Sequence, residues 1–156
     1  MSTFFNRNVA TWLFTAAACL CVAACDSPSE KELALESACK KGNMKACVEY
    51  GNSSYFGENG VRKSLGTASW AFKKACDANV ASACRAYGMV EEETLPKAEY
   101  HNEAARLIGD ATNNKLWNRI EQAYTKACRL GDDRGCKARE SFRIWRMGQE
   151  AMRRLR

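Results

Sequence analysis

The chain is predicted to be all-α, a short α-solenoid of helical hairpins stapled by disulfides. Three observations predict it. Six cysteines fall into three pairs with the same spacing of eight: Cys39/Cys47, Cys76/Cys84 and Cys128/Cys136. The first two pairs lie 37 residues apart and the last two 52 apart, a period that belongs to stacked helical hairpins. Apolar residues between the pairs recur at helical spacing, and no segment shows the alternation of a strand. The 156 residues, 46% hydrophobic and 27% charged, suit one domain or a short repeat array. A single histidine, His101, and the lack of a glycine-rich phosphate loop set aside most zinc hydrolases and P-loop enzymes. No cofactor or metal is expected.

The N-terminus comes first. Val9–Ala24 carries no charge, and its sixteen apolar or small residues match the core of an export signal while falling short of a ~20-residue span. The segment ends Val22-Ala23-Ala24-Cys25, which resembles a bacterial lipobox. Small residues there fit a signal peptidase groove, and the Cys25 thiol would carry the lipid. Buried acyl CH₂ groups would hold the chain at ~0.8 kcal/mol each. An ordinary signal peptide or an uncleaved anchor helix is the alternative. The expected division is a signal peptide over 1–24, a lipidated tether over 25–29 and a repeat domain over 30–156. Localisation follows: a periplasmic lipoprotein of a bacterial envelope, with Asp26 after the cysteine favouring the inner membrane. Nucleic acid is not an expected partner outside the cytoplasm, despite the net charge of +6.

The cysteines follow from the same compartment. Cys19 and Cys21 leave with the signal and Cys25 is lipidated, so six remain with no odd thiol. Along one continuous helix eight residues rise ~12 Å, whereas a disulfide needs Cα atoms ~4.4–6.8 Å apart. Each pair therefore closes only where the chain reverses between its members. Gly42, Asn79 and Gly131 stand three residues after the first cysteine of each pair, and these residue types take the left-handed conformation that ends a helix. Zinc would prefer C-x₂₋₄-C and redox chemistry C-x-x-C, and the exported part has neither.

Seven helices are then expected in order. Ser29-x-x-Glu32 is a capping box opening a helix to Lys41. The next runs from Asn43 or Met44 to Phe56. Ser64 caps a third to about Ala78. Val80–Glu93, Lys97–Ala111 and Lys115–Leu130 follow, and the last starts at Asp133 and runs toward Arg156. Residues 89–115 make an insert in the second unit, and 137–156 a capping helix. On that helix Phe142, Trp145, Met152 and Leu155 form an apolar stripe beside seven basic residues. It reads as a cap on the last hairpin, or as a basic amphipathic helix on anionic lipid. Glu91-Glu92-Glu93 reads as a solvated turn.

The units Ala38-Cys39…Ala46-Cys47…Tyr50-Gly51, Gly60-Val61 and Ala83-Cys84…Tyr87-Gly88 resemble the Sel-one-like repeat, a relative of the tetratricopeptide repeat, in its cysteine-rich secreted bacterial branch. The likeness covers about residues 33–90 and, less fully, 116–141. Glu58 and Ser64 depart from the family's loop, and no Gly-Val loop follows Gly88. The resemblance implies a scaffold or adaptor binding another envelope protein or peptide, with the membrane reached through the lipid anchor. It extends to periplasmic immunity factors that neutralise a toxin. Tyr50, Tyr55 and Tyr87 are the expected binding residues if they face a concave groove; otherwise they are core. The rival function is enzymatic: Ser37-x-x-Lys40 matches the nucleophile motif of penicillin-recognising enzymes, with Lys40 one helical turn from Ser37 and placed to take its proton. It would make the protein a weak β-lactam binder or hydrolase. Chance explains so short a motif, and no Lys-Thr-Gly or Ser-Asp-Asn partner accompanies it.

Overall fold

The computed structural model describes residues 27–95 and 103–155, with side chains over 27–95 and 112–155. The segment expected to be a signal peptide, 1–24, lies outside the described residues, as do Cys25, Asp26 and His101. Six helices are present: α1 (Glu30–Lys40), α2 (Met44–Phe56), α3 (Leu65–Asp77), α4 (Ala81–Glu93), α5 (Glu103–Arg129) and α6 (Asp133–Arg154). They pack as three hairpins, α1/α2, α3/α4 and α5/α6, joined through α2 on α3 and α4 on α5. The described residues contain no strand.

Every elbow is built the same way. Gly42, Asn79 and Gly131 take positive φ of 95°, 66° and 89°. The amide three residues past each helix end reaches back to the last turn: Asn43 N–H donates to Ala38 O, Val80 N–H to Ala75 O and Asp132 N–H to Ala127 O. The same residue caps the following helix, Asn43 for α2 and Asp132 for α6, each accepting a backbone N–H three residues on. The reversal brings the paired Cα atoms to 4.5, 4.4 and 4.5 Å, and all three disulfides are formed. Val80 stands at the same position in the middle elbow and offers no side-chain cap. Val80→Asp is therefore expected to stabilise the chain by about 0.5–1 kcal/mol in urea titration, the cap bond outweighing the lost half-buried valine.

Asp132 also reaches across units. Its carboxylate accepts from Arg85 Nε of α4 at 3.0 Å as well as from Gly135 N–H. Burial pushes its pKa up, but the Gly135 N–H, the Arg85 guanidinium and the Arg134 N–H together hold it below the usual carboxylate range. A depressed folded pKa gives stability that is complete above the unfolded value, near 4, and is lost as pH falls through the folded value. Asp132→Ala should cost about 1–2 kcal/mol at pH 7 and progressively less below pH ~4, measured by urea unfolding across pH. An unchanged pH profile would contradict this.

The hairpins interlock by a repeated device. A Cβ on Gly51 of α2 would meet the Phe72 ring of α3 at 2.6 Å, and one on Gly88 of α4 would meet the Tyr124 ring of α5 at 2.6 Å. The glycines are 37 residues apart and the rings 52, which is the register of the cysteines. In the same register Lys74 Nζ donates to Lys40 O at the end of α1, and Lys126 Nζ to Asp77 O at the end of α3. Each later hairpin thus inserts a ring against a bare stretch of the preceding helix and closes a helix C-terminus with a lysine. Ala127 likewise lies against Cys76 and Cys84, and Ala75 shares a cluster with Cys39 and Cys47.

Two expectations are corrected. The helices expected at 97–111 and 115–130 are one helix from Glu103. The residue equivalent to Leu65, fifty-two positions on, is Trp117, so α5 starts fourteen residues early. The insert lengthens a helix, and it is matched by a long partner. Trp117 meets Trp145 of α6 edge-on at 5.7 Å, the Arg153 guanidinium lies 4.3 Å from its ring, and Arg143 and Arg146 pair with Glu121. The second correction concerns 91–93. Glu91 is buried, accepts from Ser69 Oγ at 2.6 Å and pairs with Arg119 of α5, while Glu92 accepts from Tyr124 at 2.6 Å. That run ties α4 to its neighbours instead of standing as a solvated turn.

The first turn of α1 follows half of its expected pattern. Ser29 accepts from the Glu32 N–H. The Glu32 carboxylate does not turn back to complete a capping box. It is buried and bound to the backbone N–H and guanidinium of Arg62. The Gly60-Val61 loop explains why: Gly57, Asn59 and Gly60 all have positive φ, and the turn they make drives Val61 into a cluster with Tyr50 and Ala71. Arg62 is delivered to Glu32 by the same turn.

Candidate functional site

The residues singled out in the sequence do not converge. Tyr50 and Tyr87 are 4% and 8% exposed and pack inside the hairpin stack, Tyr50 edge-on to Trp70. They are core residues, not the floor of an open groove. Burial, then nearby carboxylates, pushes both phenols above their ordinary pKa, Glu36 being the first of these for Tyr50 and Glu91 for Tyr87. Tyr55 is half-buried against Phe56, and its phenol is raised first by a hydrogen bond to Glu93. The signal that separates these rings from binding residues was present: a mid-helix glycine directly after Tyr50 and Tyr87 marks where a neighbouring ring arrives.

Ser37 is exposed on α1, and the Lys40 ammonium sits 2.6 Å from Glu36. The lysine is thus held as an ion pair on the helix surface, with no third polar group among the described residues aimed at Ser37. No group of three or more metal-binding side chains occurs among the described residues. No helix among them is long and apolar enough to cross a membrane.

The surface instead carries an open depression of about 640 Å³ along α2, one that the sequence reading did not anticipate. Half-buried Met44, Val48 and Val80 give it an apolar floor. Its rim is polar, with Glu49 and Asn52 on the helix and Glu58 and Asn59 on the following loop. Local structure sets this rim. Asn43 caps α2 and so aims Met44 and Val48 outward together, one turn apart. Asn59, in the left-handed conformation, donates from Nδ2 to the buried Ser53 Oγ at 3.3 Å, which fixes its carboxamide over the edge. Val80 comes from the next hairpin, so the depression exists only when two units are stacked.

Chemically such a site holds one apolar side chain against Met44, Val48 and Val80. The Asn52 and Asn59 amides can donate to and accept from the backbone of an extended segment, and the charged part of the lining is mixed, with Lys45 beside Glu58 and Glu49, the last already paired with Lys31. The chain matches no family model, no curated protein and no solved structure.

Proposed function

We propose that the protein is an envelope-anchored binding scaffold built from Sel-one-like repeats, lipidated at Cys25, and that it takes an extended peptide segment of another envelope protein on the α2 depression. The observation that carries the reading is that depression, apolar below and amide-lined above, formed where two disulfide-stapled hairpins meet. Stacked hairpins commonly bind along such surfaces. Neutralising a secreted toxin is a special case of the same activity, with the toxin's segment as ligand.

The test is capture from detergent-solubilised membranes with the full chain, followed by the same capture with Val48→Asp and with Ser37→Ala. A charge on the apolar floor should lower recovery of the partner by roughly tenfold or more, as at a buried interface centre. Ser37→Ala should leave it unchanged. Partner recovery that survives Val48→Asp would move the site elsewhere. Nitrocefin turnover by the purified chain, abolished in Ser37→Ala, would establish the hydrolase reading in its place.

A further inference from the structure

The last helix presents an apolar face that no other described residue covers. Phe142, Gln149 and Arg153 point into the third hairpin, and Trp145 lies against Phe142 and Trp117. On the opposite side Ile144, Met147, Ala151 and Leu155 follow at spacings of three, four and four. Ile144, Met147 and Leu155 are 60%, 61% and 86% exposed. Half of the apolar stripe expected to cap the solenoid therefore does so, while Met152 and Leu155 face outward.

This face has a definite place in the repeat. Gly51 and Gly88 each stand four residues after the second cysteine of their unit and receive a ring from the next hairpin. The equivalent residue of α6 is Glu140, and Ile144, Met147, Ala151 and Leu155 continue the line of Glu140 down the helix. It is the surface on which a fourth unit would stack. A further hairpin of the same kind is rejected there, because its ring would bury the Glu140 carboxylate unpaired, whereas on a bilayer surface the exposed Glu140, one helical turn from exposed Lys137, stays in the hydrated headgroup layer. Antiparallel pairing with α6 of a second copy brings Arg143 near Arg154 of that copy, like charge on like. The helix as a whole carries seven basic residues against three acidic.

We propose that the outward face of α6 lies in the interface of an anionic bilayer, with Ile144, Met147 and Leu155 among the acyl chains and Arg154 on lipid phosphates, while Arg143, paired with Glu121 but still more than half exposed, borders the same headgroup layer. Charge complementarity selects this occupant: exposed arginines border an exposed apolar stripe, and an anionic headgroup layer over hydrocarbon matches both at once. The contact is separate from the α2 depression, so loss of one leaves the other standing.

Hydroxyl-radical footprinting of the full chain, read residue by residue by mass spectrometry, tests it. Oxidation of Met147 is expected to slow roughly fivefold on vesicles containing phosphatidylglycerol. Met89 of α4, also exposed, should keep its rate and serves as the internal reference. Ile144→Asp with Leu155→Asp, both surface changes, should abolish the slowing while circular dichroism stays the same. An unaltered Met147 rate on anionic vesicles would overturn the proposal. So would equal slowing on pure phosphatidylcholine, or slowing without vesicles that grows with protein concentration, which would mark a second copy as the occupant.

Discussion

Replacing Cys76 and Cys84 together by alanine is expected to cost about 3 kcal/mol, and more than the same change at Cys128 and Cys136. The three loops have equal length, so the chain-entropy contribution is the same for each, about 2.5 kcal/mol. What differs is the surroundings. Cys76 and Cys84 are buried, with Ala127 of the next hairpin packed on them. Truncation there leaves a small void beneath Ala127 and loosens α4 on α5, adding roughly 0.5 kcal/mol. Cys128 and Cys136 are only half-buried, because no hairpin among the described residues packs over them. Urea unfolding of the two double variants under oxidising conditions gives the comparison. Graded dithiothreitol gives a second: the terminal bridge should open first. A middle pair that costs no more than the terminal one, or that reduces first, would show that the stacked hairpin does not protect the bridge beneath it. Against a total stability of ~5–15 kcal/mol, a 3 kcal/mol loss is large enough to unfold a marginal chain at 37 °C.

The elbows were legible because their determinants are local. Cysteine spacing, a residue able to adopt positive φ and a capping side chain all fall within nine residues, and each acts on its own neighbours. The junction between the two helices expected before Leu130 was misread for a related reason. Thr112-Asn113-Asn114 is poor in helix formers and looks like a break, yet it holds neither a proline nor a left-handed C-cap. Packing of Leu116, Trp117 and Ile120 on α6 overrides so weak a signal. Glu91 and Glu92 were misread because Ser69, Arg119 and Tyr124, which hold them, lie 22 to 32 residues away along the chain. A charge run says nothing about such partners. The α2 depression was illegible for the same cause, since its floor needs Val80 from a second unit.

Gly88→Ala is expected to destabilise the chain by about 2–3 kcal/mol, although helix propensity alone predicts a gain of up to ~1 kcal/mol. The sign turns on whether the Tyr124 ring can retreat. An added Cβ would lie 2.6, 2.8 and 3.0 Å from Tyr124 Cε1, Cδ1 and Cζ. Behind it, Phe142 of α6 meets the ring edge-on, and its hydroxyl is tied to Glu92. Burial first, and then that hydrogen bond, pushes the phenol well above its ordinary pKa, so the ring stays neutral and in place. Moving it means moving α6 or breaking the bond to Glu92, and either loss exceeds the propensity gain. Gly148→Ala is the control: nothing lies within 4 Å of a Cβ there, so it should stabilise by about 0.5–1 kcal/mol. A double-mutant cycle makes the cause explicit. Tyr124→Ala alone should cost about 3–5 kcal/mol, and in that background Gly88→Ala should become neutral or stabilising, a coupling of about 2 kcal/mol or more. Additive effects would mean that the glycine is kept for some reason other than the approaching ring. The same cycle on Gly51 and Phe72 should give a coupling of the same sign, because the two contacts occupy one place in the repeat.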